Sequence, residues 1–398
     1  MKLLFLDSPA FAKQDMLDAF TDCGLSYDLF IHEGYHDRKN HAFDLAFDKA
    51  VEAVSYDFVF SFNYYPILSN NCQRHGIPYV AYVYDSPLVA LYSCSLINSC
   101  NYVFLFDKAT YLTFHNAGIN TVYYLPLAAN VRRLQSMVCP DAFLTKLCAE
   151  VSFVGSIYNE DHNFYDRLDK ISDFTRGYLD SIMAAQQKVY GSFFLEELLT
   201  QPILEDLQNC IPYQPMSDGT ESAAYVYANY FLCRKITSNE RLALLKLASE
   251  AFPLKLYTHQ PSDQLPHAEF MGPVDYYSTM PLVFRHSRIN LNITLKSIRT
   301  GVPLRCMDIM GSGGFLLTNF QSDLLDLFVP DEDFVFYESE TDFIDKIRYY
   351  LSHEASRQQI IANCSGKMAE AHTFVHRVHS ILDLSLIHIS EPTRLRCI

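Results

Sequence analysis

Six short apolar runs punctuate the first 130 residues, at positions 2–6, 27–31, 56–60, 79–84, 102–106 and 121–125. Each is rich in aromatic or β-branched residues and stays apolar without strict alternation. A strand reads this way when helices cover both faces of a parallel sheet, because neither face meets water. Stretches with helical spacing lie between the runs, at 11–23, 42–54 and 109–117. Repeated strand–helix units predict a doubly wound parallel sheet.

A second alternating region opens with Val151-Ser152-Phe153-Val154-Gly155-Ser156. It resumes at 254–257, 288–292, 315–318 and 334–337, and helices are expected at 341–351, 353–370 and 373–384. A long helical stretch, at about 160–246, separates its first two strands; Leu195, Leu198 and Leu199 keep helical spacing there. The chain therefore reads as two Rossmann-like α/β domains. The N-terminal one spans 1–130 and the C-terminal one 149–372, with the helical insertion in the second. Residues 131–148 are expected to link them, and 373–384 to form a terminal helix. Residues 385–398 show no clear period and contain Pro392. They resemble translated adapter or vector read-through and are set outside the fold.

Composition narrows the function classes. The chain has 398 residues, 49% hydrophobic and 19% charged, enough for two or three globular domains. A net charge of -15 argues against a nucleic-acid footprint, which needs a basic face. A few local cations can still hold a diphosphate. The eleven cysteines are odd in number and form no C-x-x-C pair, so buried free thiols in a reducing cytoplasm are expected. The N-terminus lacks the basic and long apolar regions of a signal peptide. No apolar stretch reaches the roughly 18–20 residues of a membrane span. A soluble, cytoplasmic protein without an integral membrane segment is expected.

The strands end in Asp7-Ser8-Pro9, Ser61-Phe62-Asn63, Asp85-Ser86-Pro87 and Asp107. Ligands of open α/β sheets bind at the carboxyl ends of strands, which makes Asn63, Asp85 and Ser86 candidate ligand residues. Asp and Ser after a strand can equally cap the next helix.

The stretch from Thr300 to Thr318 carries the most chemistry: Thr300-Gly301-Val302-Pro303-Leu304-Arg305-Cys306-Met307-Asp308-Ile309-Met310-Gly311-Ser312-Gly313-Gly314, then the apolar Phe315-Leu316-Leu317. Pro303 suits the first turn of a helix, with Thr300 or Gly301 as cap. Gly311, Gly313 and Gly314 end that helix and turn the chain into the next strand. The helix N-terminus offers backbone N–H groups to a diphosphate, and Arg305 adds a fork of donors. Asp308 lies roughly 7–8 Å further along the axis, about the distance from phosphates to ribose. A carboxylate there can accept from both ribose hydroxyls, as in dinucleotide folds. A glycine-rich turn with a solvent-facing Asp is the plain structural alternative.

On these residues, and on 61–87 in the first half, the chain resembles the CgeB-like family of glycosyltransferases with the GT-B architecture. The resemblance implies two Rossmann-like domains facing a cleft, with the acceptor on the first and the donor on the second. It implies transfer of a sugar from a nucleotide-sugar, a UDP-sugar above all, to a glycan, lipid or protein acceptor, as in the making of bacterial cell-surface glycans. The reaction is of hexosyltransferase type and needs no metal or other cofactor. Donor contacts then fall on Gly155, Ser156, Asn290, Asn292, Arg299, Thr300, Arg305, Asp308, Gly311, Gly313 and Gly314, with Lys296 nearby. Arg305 stabilises the departing diphosphate. Acceptor contacts fall on Asn63, Asp85 and Ser86. If the reaction inverts configuration, Asp85 is the first choice of general base and His115 the second. In the wider retaining pattern seven residues separate two Glu. Asp308 takes the place of the second, but Thr300 stands at the first.

Other motifs point elsewhere and are set aside. His32-Glu33-Gly34-Tyr35-His36 matches H-E-x-x-H, but it follows a strand directly and contains Gly34, whereas zinc hydrolysis needs the pattern on a helix. His372, His376 and His379 are read as solvent-facing residues of the terminal helix. Two alternatives to a transferase stay open: a non-catalytic surface-assembly or partner-binding module, and a nucleotide-sugar epimerase. No G-x-G-x-x-G follows the first strand, against a nicotinamide dehydrogenase.

Overall fold

The structure is a computed structural model describing residues 1–158 and 163–390. The chain divides into two compact units. Unit 1 holds Met1–Asn130, Asp218–Thr220 and the C-terminal stretch from Ala371; unit 2 holds Val131–Ser217 and Glu221–Glu370.

Unit 1 alternates strand and helix. It runs β1 (Lys2–Leu6), α1 (Lys13–Asp22), β2 (Ser26–Phe30), α2 (His41–Ala53), β3 (Phe58–Phe62), α3 (Pro66–His75), β4 (Tyr79–Val83), β5 (Asn101–Leu105), α4 (Lys108–Asn116) and β6 (Val122–Tyr124). All six strands are parallel, in the order β2-β1-β3-β4-β5-β6. β3, β4 and β5 are buried along their whole length, while edge strand β2 buries only Phe30. That is why the central runs are continuously apolar. On one face Phe43, Phe47, Tyr64, Ile67 and Leu68 pack under the sheet.

Unit 2 opens with α5 (Val131–Ser136), α6 (Asp141–Leu147) and β7 (Ala149–Val154). The insertion follows as α7 (Asp173–Gln187), α8 (Leu195–Leu198), α9 (Gln201–Cys210), α10 (Ala223–Val226), a π-helical turn (Tyr227–Leu232) and α11 (Cys233–Ala251). Then come β8 (Leu254–Tyr257), β9 (Glu269–Phe270), α12 (Met280–His286), β10 (Ser287–Asn292), α13 (Leu304–Gly311), β11 (Leu316–Asn319), α14 (Ser322–Leu327), β12 (Val335–Tyr337), α15 (Glu340–Ser352) and α16 (Glu354–Ala371). The strands are again parallel, in the order β12-β11-β10-β7-β8-β9. A last helix, α17 (Phe374–Ser390), belongs to unit 1. There Arg377 donates to the carbonyls of Pro126 (2.7 Å) and Leu127 (3.2 Å).

Two parallel, doubly wound sheets agree with the α/β expectation. Several details differ. Residues 131–148, expected as a linker, form α5 and α6 inside unit 2, where Arg285 donates to the Leu134 and Met137 carbonyls. α3 went unread because Ser69-Asn70-Asn71 breaks the apolar spacing; Asn71 is buried and donates to Asp44 (2.7 Å) and the Ile67 carbonyl (2.9 Å). The terminal helix continues past 384 to Ser390, and residues 391–398 of the proposed read-through lie outside the described residues. All ten described cysteines are free, but only Cys72, Cys233, Cys306 and Cys364 are buried.

Candidate functional site

The strand order of unit 2 reverses between β7 and β10, and a ligand crevice opens at the carboxyl ends flanking such a point. Three pieces of chain meet there. The first is the turn Gly155-Ser156 after β7, where Gly155 has φ 153°. The second is the segment after β10. The third is the start of α13, where Pro303 occupies the cap position and no side chain caps the helix. Pro303 thus sits one place earlier than expected, and neither Thr300 nor Gly301 caps. The Thr300 carbonyl instead accepts from the Asp323 amide (3.1 Å), and Gln321 donates to the Gly301 carbonyl (3.1 Å).

Arg305 joins the first and third pieces. Its Nη1 donates to the Val154 carbonyl and lies 3.9 Å from where a Cβ on Gly155 would stand. The guanidinium rests on the Phe284 ring, 5.7 Å from its centroid, and Nε is buried without a hydrogen-bond partner. Burial pulls the Arg305 pKa below its ordinary value, and Asp308 opposes that shift. Asp308 is buried rather than solvent-facing, and its Oδ1 accepts from the Tyr276 hydroxyl (3.0 Å).

The other candidates divide. Ser156 accepts from the Tyr158 amide at 2.8 Å. Asn290 is buried inside the sheet; its amide donates to the carbonyls of Phe284 (2.9 Å) and Phe315 (3.3 Å), and its oxygen accepts from Ser152 (3.0 Å). These bonds use both of its N–H donors, so it shapes the turn beneath the crevice. Asn292 donates to Thr294 (3.0 Å) and Thr318 (2.9 Å). Arg299 pairs with Glu196 at 2.5 Å and stacks on Phe193 at 4.6 Å. Lys296 lies 3.3 Å from Glu240 and 3.9 Å from the Tyr190 ring centroid. Gly311 closes α13, Gly313 follows at φ 76°, and Gly314 packs against backbone.

In unit 1, Asn63 follows β3 at φ 58°, a left-handed conformation that Asn tolerates. Its oxygen accepts from the amides of Tyr84 (2.9 Å) and Asp85 (3.0 Å), and its Nδ2 donates to the Asp85 carboxylate (2.8 Å). The side chain thereby holds the ends of β3 and β4 together, with Ser86 next in the chain. Asp85 caps no helix, whereas Asp107 caps α4 through Ala109 (3.1 Å) and Thr110 (3.3 Å). Burial raises the Asp85 pKa, and the Asn63 hydrogen bond opposes the rise. His115 is exposed on α4 and stacks on Tyr111.

The discounted histidines have ordinary roles. His32 accepts from the Gly34 amide (2.9 Å) ahead of a 3-10 turn, Glu33–His36, so the H-E-x-x-H match is not on an α-helix. His372 is buried against Arg377 (3.0 Å), correcting the solvent-facing expectation; only His379 of the three is exposed. Sequence reasoning missed Tyr276, Glu240 and Arg241. For the latter two the available signal was charge on a helix otherwise buried through Ile236, Leu244, Leu245 and Ala248.

Comparison with known proteins places this geometry. Residues 234–383 match a family model described as glycosyl transferase-like. No curated protein matches. Among solved structures, Anabaena HepE in complex with UDP-glucose is similar at 10% identity and TM-score 0.54, over 96% of this chain and 99% of its own. Sucrose-phosphate synthase from Thermosynechococcus elongatus is similar at 10% identity and TM-score 0.53, covering 98% and 100%. The α,α-trehalose 6-phosphate synthase of Burkholderia multivorans is similar at 11% identity and TM-score 0.52, covering 100% and 99%. The chain has the GT-B fold and, over residues 234–383, a glycosyl transferase-like domain.

Proposed function

We propose that the protein transfers a hexosyl group from a UDP-sugar to a glycan, lipid or protein acceptor, as a CgeB-like member of the glycosyltransferases. One observation carries this reading: the Gly155 turn, the uncapped start of α13 and Arg305 converge at the switch point of unit 2, with Asp308 further along the same helix. The diphosphate sits against the α13 N–H groups and Arg305, whose unpartnered Nε can serve a phosphate oxygen. Asp308 accepts from the ribose hydroxyls, taking over from Tyr276. Negative charge that builds on the departing diphosphate meets these groups, so the mechanism asks for no metal. Arg299, Thr300, Asn292 and Ser156 line the surroundings, and Gly311, Gly313 and Gly314 shape the turn. Asn63, Asp85 and Ser86 form the acceptor side in unit 1, with Asp85 as base if configuration inverts. The ten free thiols among the described residues fit a reducing cytoplasm. Among the described residues no helix is long and apolar enough to cross a membrane.

The test is calorimetric binding of UDP, GDP and ADP, followed by hydrolysis or transfer from the corresponding donors. UDP binding and donor turnover, both lost in Arg305→Ala, are the expected result. No binding of any nucleoside diphosphate would sink the reading. Thr300, in place of an acidic residue, favours a non-catalytic module as second reading; nucleotide binding without turnover on any acceptor supports that one.

A further inference from the structure

The buried guanidinium of Arg241 lies outside the motif that carries the donor site, yet it touches both of the strand ends that define the crevice. Arg241 belongs to α11 and is 9% exposed. Its Nη1 donates to the Ser156 carbonyl at 2.5 Å. Its Nε and Nη2 donate to the Ile293 carbonyl at 3.0 and 2.5 Å. Ser156 follows β7 and Ile293 follows β10, the neighbouring strands at the switch point. The guanidinium is held by two rings, 5.4 Å from the Phe153 centroid and 4.7 Å from that of Tyr158.

We infer that Arg241 is a positioning residue for the donor site: by binding the Ser156 and Ile293 carbonyls together, it fixes the two loops between which the diphosphate lies. This rests on the donor reading above. The geometry favours a bridge over a direct ligand. Three of the five N–H donors are already spent on carbonyls, and two rings lie against the guanidinium. Arg305 grips the Val154 carbonyl, so the two guanidiniums hold the carbonyls on either side of Gly155. A turn held at both shoulders presents its backbone to an anion without first being ordered, which is where preorganisation gains affinity. Arg is suited to this because its rigid fork reaches two carbonyls at once, whereas a Lys ammonium is a point donor.

The test compares Arg241→Lys and Arg241→Gln with the wild-type chain by two measurements. Amide hydrogen exchange without ligand reads the loops at residues 155–157 and 293–295; UDP calorimetry reads the site. Both variants should lose protection in the two loops while β8 and β12 keep theirs, and UDP affinity should fall about tenfold in each, the effect of a lost charge-assisted bond. Lysine retains the charge, so wild-type affinity in Arg241→Lys would show that charge acts rather than the bridge, and would overturn the inference. Loosened loops with unchanged UDP affinity would overturn it too, while leaving the donor reading standing. Unchanged exchange in both loops would refute the bridge directly. Failure of the wild-type chain to bind UDP would instead remove the donor reading, and this inference with it.

Discussion

Gly314 offers the sharpest test of whether the glycine-rich turn binds a ligand or packs. A Cβ added there would stand 2.7 Å from the Phe284 carbonyl oxygen, 2.8 Å from the Asn290 amide nitrogen and 3.1 Å from the Ile309 carbonyl oxygen. Two of these atoms are backbone and the third is a buried amide nitrogen with both N–H donors engaged, so none can swing aside. Forcing a methyl into such a place costs about 1–3 kcal/mol as overpacking. Displacing Asn290 strands a buried amide and the carbonyls it served, for roughly 1–3 kcal/mol more. Gly314→Ala should therefore destabilise the protein by about 2–6 kcal/mol. Gly313 provides the control. It has φ 76° and meets only the Ser365 hydroxyl at 4.0 Å, so alanine there suffers backbone strain of about 1–2 kcal/mol and no clash. The chain has 27 Tyr and no Trp, so urea unfolding is followed by far-ultraviolet circular dichroism and tyrosine fluorescence. Comparing midpoints at equal slope gives the difference. Equal midpoints for the two variants, or a larger loss at Gly313, would refute the packing argument.

Asp308→Asn should weaken UDP binding by about tenfold, because an amide accepts more weakly from ribose hydroxyls than a carboxylate does; unchanged calorimetry would remove Asp308 from the ribose site. Arg305→Ala should cost more UDP affinity than Arg299→Ala, since Arg299 is engaged by Glu196 at 2.5 Å; the reverse order would reassign the phosphate ligand. Burial, then Arg377 and His376, pull the His372 pKa down to about 4. Between its unfolded value of about 6.5 and about 4, the unfolded chain binds a proton that the folded chain refuses, so stability falls as pH drops through that window. His372→Asn should flatten part of that fall in urea midpoints, and an unaltered slope would count against it. With Asp85 as base, kcat/KM should rise with pH through a pKa above the usual Asp range. Asn63→Ala should move that limb higher still, because the Asn63 bond favours the charged form; a limb that persists in Asp85→Asn would exclude Asp85.

Strands buried on both faces were the most legible elements. Residues 2–6 and 254–257 are β1 and β8 without a shift. β3 begins two residues later than the sequence suggests: Tyr56 reads as strand, but its hydroxyl bonds Asp28 (2.7 Å) and its ring meets Lys2 at 5.8 Å. An aromatic at a sheet border looks the same in sequence as one inside it. α3 carried its own punctuation, Pro66 in the first turn and Gly76 at φ 65° after the last, which outlasts the loss of apolar spacing. β9, two exposed residues at the edge, has no signal to read. Gly155, Arg305 and Asp308 could be proposed for the candidate site from sequence because strand-end and helix-start chemistry is local. Arg241 could not, because its acceptors lie 85 and 52 residues away, and only the fold brings them together.

The fate of the basic side chains follows the same division. Around the crevice the sequence offered three cations, Lys296, Arg299 and Arg305, and put Arg305 first because it stands at the helix start. The insertion separates them. Its residues Gln187, Tyr190 and Phe193, with Glu196 on α8 and Glu240 on α11, enclose the first two. The Lys296 ammonium meets Glu240 (3.3 Å), the Gln187 carbonyl (3.3 Å) and the Tyr190 ring, which accounts for its donors. Burial raises the Glu240 pKa and lowers that of Lys296, and each partner's charge opposes the other's shift, as for a pair held out of water. Releasing Lys296 to a phosphate would leave Glu240 buried and unpaired, a cost that a substrate would have to meet on each binding event. Arg305 forms no ion pair among the described residues: it donates to a carbonyl, feels Asp308 only through space, and its Nε is unused. Of the three cations, the insertion thus neutralises Lys296 and Arg299 and leaves Arg305 with an unused donor at the crevice.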